Sequence, residues 1–242
     1  MFFVVAGIAT GGAAMTTAVG GGGSRFCLSW RLAVETNNVR AWRTVPTQCI
    51  GCVGAYMLGG QYRSDLQFLV EQILSYVTGG GVVVSGDGMD AWTFDIDETC
   101  LSNLPYYTIK RYGGDPYDPV AFFAWASKGL CPAIPEVLGL FNKLIKVGFK
   151  VFFLTGRDEA TLRQPTVRNL QLQGFIGYKS LIMRTAAYKG QSAVTFKSAI
   201  RKELVAQGYR IWGNVGDQWS DLQGDCPGNR TFKVPNPMYF VP

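Results

Sequence analysis

The sequence predicts a three-layer α/β domain built on a parallel sheet. Short apolar runs that read as buried strands alternate with helix-patterned segments between Ala91 and Val234, as repeated β-α units do. Polar and mostly acidic groups follow three of these runs. In open parallel sheets, ligands sit beyond the carboxyl ends of the strands. The composition agrees: 48% hydrophobic and 13% aromatic residues among 242 can fill a large core. With 17% charged residues, the chain is neither a disordered segment nor a coiled coil.

The elements follow in order. Met1 to Gly20 is uncharged and rich in Ala, Gly and Val. Ala18 and Gly20 offer a small-residue cleavage point, but the basic start of a signal peptide is missing. Its many Gly and Thr residues make a poor membrane span. Residues 1–25 read as an atypical signal peptide or a disordered extension, with Gly20 to Ser24 as a flexible linker,. Residues 26–242 read as one domain. From Cys27 to Gly79 the pattern is helical, with Leu66, Leu69, Val70, Ile73, Leu74 and Val77 on one face after Ser64 and Asp65,. A glycine-rich turn precedes the first strand, Ala91 to Ile96. Asp118 caps a helix that Pro119 opens, and Pro135 opens another that stops before Gly148,. Phe149 to Leu154 is the second strand. Pro165 opens a helix to Gln173, and Ser180 to Met183 is a short strand. Thr195 to Gln207 is a helix, Tyr209 to Val215 a strand, and Thr231 to Val234 a last strand.

The chain has no histidine. Ser-His-Asp and Cys-His catalysis, His-liganded zinc and a phosphohistidine are therefore excluded. Acid/base work falls to Asp, Glu, Lys, Tyr or Cys. The net charge of +6 describes a mildly basic surface, and no basic run marks a nucleic-acid stripe. The six cysteines have no connectivity readable from spacing. Cys49 and Cys52 lack a second such pair, so a disulfide or buried thiols fit better than a metal site. Asn229-Arg230-Thr231 is a glycosylation sequon,.

Chemistry concentrates at three strand ends. Asp95 and Asp97 follow the first strand, Thr155-Gly156-Arg157-Asp158 the second, and Asp217 and Asp221 the fourth. If strand geometry continues through Asp97, Asp95 and Asp97 point the same way. Four carboxylates at one rim call for a cation, and oxygen-only ligands favour Mg²⁺. With no imidazole, an aspartate can be the nucleophile of a phosphoryl transfer. A second carboxyl can serve as acid and base, with Thr155 and Lys197 or Lys189 around the phosphoryl oxygens. Gly86 to Ala91 formally fits a dinucleotide fingerprint but opens a strand, and that loop must open a helix. Asp95 to Thr99 is no calcium loop, because Cys100 stands where the glycine is needed,.

These segments resemble the haloacid-dehalogenase-like phosphohydrolases, and within them the plant acid phosphatase and vegetative storage protein family. The carrying residues are Cys27 to Asn38, Phe94 to Thr99, Leu101 to Tyr107, Phe153 to Arg157, Phe196 to Ser198 and Gly213 to Leu222. The resemblance implies a Rossmann-like three-layer core with an N-terminal helical segment and a small helical cap at about 103–148. It implies Asp95 as the phosphorylated nucleophile and Asp97 as general acid/base. Thr155 and Lys197 would bind phosphate, and Asp95, Asp97, Asp217 and Asp221 would hold Mg²⁺. Tyr106, Tyr107, Phe122, Phe123 and Trp125 are candidates to shape the cap, or are ordinary core. The implied function is a Mg²⁺-dependent acid phosphatase acting on small phosphomonoesters, with a storage protein of weak or no activity as the alternative. Phosphotransfer to an alcohol is a third course. The implied compartment is vacuolar or extracellular. A homodimer is the candidate assembly.

Overall fold

The computed structural model describes residues 21–242; the expected signal segment lies outside these residues. The sheet has five parallel strands in the order β3-β2-β1-β4-β5. They are β1 Asp90–Phe94, β2 Lys150–Asp158, β3 Ser180–Arg184, β4 Arg210–Gly216 and β5 Arg230–Lys233. Strands β1 to β3 wind one way from the centre, and β4 and β5 lie on the other side of β1. The switch point therefore falls between the carboxyl ends of β1 and β4, where such sheets open a ligand crevice.

The central strands are buried on both faces, which is why they read as unbroken apolar runs. Trp92, Phe94, Val151 and Phe153 face a layer containing α3 (Gln61–Thr78), α6 (Pro135–Val147) and α7 (Glu159–Leu172). Ala91, Phe152 and Leu154 face Phe196, Ile200 and Leu204 of α8 (Ala193–Ala206). Two faces of one sheet thus meet two helical layers by simple alternation. A second cluster joins the N-terminal helices α1 (Gly21–Glu35) and α2 (Ile50–Leu58) to α4 (Leu104–Ile109) and the C-terminal segment, through Trp30, Val53, Tyr56, Tyr106, Tyr107 and Met238. Helix α5 (Pro119–Ala126) completes the insert between β1 and α6.

The capping signals of α5 and α6 act as read, whereas Ser64 and Asp65 do not cap α3: that helix already begins at Gln61. The Asp118 side chain accepts from the Val120 and Ala121 amides at the start of α5, and Gly148 ends α6 at φ 109°.

Several expectations change. Gly21 to Ser24 form the first turn of α1 and not a linker; the helix is anchored further on by the Cys27–Cys49 disulfide and by buried Trp30. Cys49 therefore pairs with Cys27, and Cys52 is an exposed thiol. Pro165 lies inside α7 and does not open it. Asp158 caps that helix by accepting the Thr161 amide, so the helix is already established when it reaches the proline. Strand β1 ends at Phe94, before Asp95 and Asp97. The backbone turns there, with the Cys100 and Leu101 amides both donating to the Ile96 carbonyl. Cys100 is fully buried and behaves as a small hydrophobe.

Candidate active site

The site is assembled at the switch point from β1, β2, β4 and α8. The Asp95 amide still donates to the Val215 carbonyl at 2.9 Å, so Asp95 continues the alternation of Ala91 and Thr93 toward the α8 layer. Lys197 meets it there. This lysine is 3% exposed and donates to Asp95 and to Asp221, the latter at 2.5 Å. Burial alone would lower the Lys197 pKa, but the two carboxylates reverse this and hold it above the usual lysine range,.

Asp221 lies in the short helix α9 (Trp219–Leu222) just after β4. Its Oδ2 accepts the Gln218 amide at 2.9 Å. Its carbonyl accepts from the buried Arg201 guanidinium and from Asn214. Asp217 ends β4 and is 1% exposed. Carboxylate oxygens of Asp95, Asp217 and Asp221 all lie within 4.8 Å of one another. Three buried carboxylates around one ammonium leave net negative charge. Its signature is in the titration. Burial, then Asp221, pushes the Asp217 carboxyl up to about 7, and burial likewise raises that of Asp95. Close oxygen donors that resist ionisation together suit a hard divalent cation, Mg²⁺ among them.

Asp97 stands apart from this cluster and is held by Arg157. The guanidinium donates through Nη2 to Oδ1 at 2.7 Å and through Nε to Oδ2 at 3.1 Å, and Asn103 Nδ2 adds a bond at 2.8 Å. Burial raises the Asp97 pKa, but the Arg157 charge and these bonds outweigh it and hold the carboxyl below the usual range. Beyond it Glu98 adopts φ 53°, an uncommon conformation for a residue with a side chain. The turn is held by Asn103, which donates to Glu98 from its amide backbone and side chain, and by the Tyr239 hydroxyl. Burial and the Asp97 charge push Glu98 up to about 7.

Asp95, Asp97, Lys197, Asp217 and Asp221 all face one cleft of about 970 Å³. Thr155 is brought to the same strand end but is wholly buried behind Gly156, where its hydroxyl accepts the Arg157 amide at 3.2 Å. Of the two competing lysines, Lys189 is exposed and only Lys197 reaches the acids. Tyr106, Tyr107, Phe122 and Phe123 line the cleft, whereas Trp125 turns its indole N–H to Asn103.

Known proteins place the chain in a family. The family model for acid phosphatases of subfamily IIIB in the HAD superfamily matches residues 14–242. The chain belongs to this family. Acid phosphatase 1 of Solanum lycopersicum is 45% identical over 215 residues, covering 89% of this chain and 83% of that protein. Vegetative storage protein 2 of Arabidopsis thaliana is 38% identical over 218 residues, covering 89% and 80%. Among solved structures, the class C acid phosphatase of Bacillus anthracis with tungstate bound superposes with a TM-score of 0.60 at 21% identity, covering 78% of this chain and 83% of that one. That likeness concerns the fold.

Within this acid phosphatase, the supporting residues escaped sequence reasoning. Arg157 follows Thr155 in a recognised segment but carried no role, because nothing in one strand reveals that it reaches Asp97. Arg201 lies one helical turn after Lys197, and that spacing is the one signal that could have drawn attention to it. Asn103 and Gln218 likewise lie in recognised segments without a role, and Tyr239 gave no signal.

Proposed function

We propose that the protein is a Mg²⁺-dependent hydrolase of small phosphomonoesters that works through an aspartyl-phosphate on Asp95. The observation that carries this is Lys197 bridging buried Asp95 and Asp221, with Asp217 beside them. Asp95, Asp217 and Asp221 would hold the cation, with Asp97 at the same rim. When bound, Mg²⁺ supplies positive charge to the phosphoryl oxygens.

A carboxylate oxygen of Asp95 attacks phosphorus, and the bond from phosphorus to the ester oxygen breaks. Asp97 gives that oxygen a proton. Water then attacks the phosphoryl group, the Asp95–phosphorus bond breaks, and Asp97 takes the proton back. Lys197 opposes the burial that raises the Asp95 pKa and stays cationic beside the phosphoryl group. Thr155 and the backbone after it support the phosphate side. Arg157 opposes proton retention on Asp97, so acid pH favours the proton-donating step. An acid optimum needs no imidazole.

The storage reading is supported by the names of the two vegetative storage proteins of Arabidopsis thaliana among the relatives. The presence of Asp95 bonded to its lysine favours catalysis. Asn229 and Thr231 are exposed, and with the Cys27–Cys49 disulfide they suit a glycosylated, vacuolar or extracellular protein. No helix among the described residues is long and apolar enough to cross a membrane.

The test is hydrolysis of an aryl phosphate with added Mg²⁺. Chelation should abolish it, and Asp95→Asn should lower it by about three orders of magnitude or more. Full activity in Asp95→Asn would refute the nucleophile, and an inactive wild type across acidic to neutral pH would favour storage.

A further inference from the structure

The segment after β5 reaches back to the acidic cluster. The register of β5 on β4 pairs Gly216 with Lys233, and the Val234 amide continues it by donating to the Gly216 carbonyl at 2.9 Å. Asp217 is the next residue of β4's continuation. Val234 is followed by Pro235, Asn236 and Pro237. The two prolines restrict Asn236 and its neighbours to extended backbone, so the chain runs past Asp217 with little freedom left to lose.

Asn236 is 1% exposed. Its Nδ2 donates to Asp217 Oδ2 at 2.7 Å. Its Oδ1 accepts the Met238 amide at 2.9 Å. A backbone N–H can only donate, so this second bond settles the orientation of the side-chain amide. Gln218 Nε2 also donates to Asp217 Oδ2, at 2.7 Å, and Gln218 is in turn held by the Val241 amide on its Oε1. Asp217 Oδ2 therefore has two short donors, both tied to the C-terminal segment. Asp217 Oδ1 has one long contact, to the Thr99 hydroxyl at 3.3 Å.

We propose that Asn236 is a positioning residue for Asp217: it occupies Oδ2, fixes the carboxylate plane and leaves Oδ1 as the oxygen offered to a divalent cation. This rests on the reading of Asp217 as a metal ligand. Outer partners of metal-ligating carboxylates commonly set affinity by about 10- to 100-fold. In this protein that partner comes from a segment outside the strand–loop motifs that supply the ligands themselves.

The experiment measures Mn²⁺ binding by electron paramagnetic resonance and Mg²⁺ binding by calorimetry, on the full chain, for wild type, Asn236→Ala and the near-isosteric Asn236→Leu. Both variants should weaken cation binding about tenfold or more. The Mg²⁺ concentration for half-maximal hydrolysis should rise in parallel, with KM for the ester at saturating Mg²⁺ unchanged. Metal-free melting should stay near that of wild type. Wild-type affinity in the folded variants would overturn the proposal, as would failure of both to fold without metal, because the amide would then be structural. If wild type binds no divalent cation and Asp217→Asn changes nothing, the metal reading itself fails. If wild type binds and only Asn236 proves indifferent, this proposal fails alone.

Discussion

Replacing Lys197 by methionine removes the one ammonium between Asp95 and Asp221 and keeps most of the aliphatic stem. In the native site, Lys197 bonds both carboxylates and all three side chains are at most 9% exposed. Loss of one partner from a buried ion pair costs about 3–5 kcal/mol, because the remaining charge stays desolvated. For a domain of this size that lowers the melting temperature by roughly 6–20 °C. The sign with pH is specific. Burial and neighbouring carboxylates already hold the Asp95 pKa above its ordinary 3.8, and losing the lysine raises it further. A carboxyl whose folded pKa exceeds its unfolded value is penalised at pH above the unfolded value, where folding must ionise it or keep it protonated at a cost. The deficit of Lys197→Met should therefore be full near neutrality and shrink as pH falls toward 4. Calorimetric melts at pH 5 and 7.5 in chelator measure it. Adding Asp221→Asn should restore part of the stability, since it removes the facing charge. Activity should fall about 100- to 1000-fold, the usual loss on removing a donor to the developing charge. A melting shift under about 3 °C at pH 7.5, or one equally large at pH 5, would refute the assigned role of the lysine.

Three other outcomes follow from the same geometry. Asp217 and Glu98 are each held up to about 7 by burial, so the metal-free protein keeps these protons into neutral pH; Mg²⁺ binding near pH 6 should release protons, seen as a calorimetric heat that varies with buffer ionisation. Without metal, both groups make stability decline as pH rises from about 4 to 7, at about 1.4 kcal/mol per unit for each fully titrating group, and saturating Mg²⁺ should flatten that decline in thermal melts. The Cys27–Cys49 bridge closes a sequence separation of 22, so Cys27→Ser should cost about 3 kcal/mol in denaturant unfolding and leave kcat near wild type. Gly213→Ala should destabilise by about 3 kcal/mol, because a Cβ there would lie 2.1 Å from the ring of buried Trp92; unchanged denaturation would contradict the packing of β1 on β4.

Sequence legibility followed how local each signal was. Strand β2 and helices α5, α6 and α8 were readable because periodicity and caps act within a few residues. Helix α4 and the four-residue α9 were not, since elements so short carry no period and are stabilised by what they touch. Pro165 was misread for a related reason: its helix begins at the Asp158 cap, and a cap can outrank a proline's local preference. The acids and Lys197 were legible because each follows or precedes a recognisable strand or helix end. Their partners were not, because Arg157 lies 60 positions from Asp97 and no spacing rule spans that distance.

The amino-acid sequence by itself determined the alternation of strands and helices and the delivery of Asp95, Asp97, Asp217 and Asp221 to strand ends. It also determined that the chemistry proceeds without histidine. Those properties follow from backbone periodicity and residue type. Only the tertiary structure decided how the acids divide. Asp95, Asp217 and Asp221 gather together with Lys197 bonded to the first and the last, while Asp97 is drawn off to Arg157. The division depends on which distant cation meets each carboxylate inside a desolvated cleft. Charges there interact strongly over a few ångströms, and the packing of α8 and β2 on the sheet sets those distances.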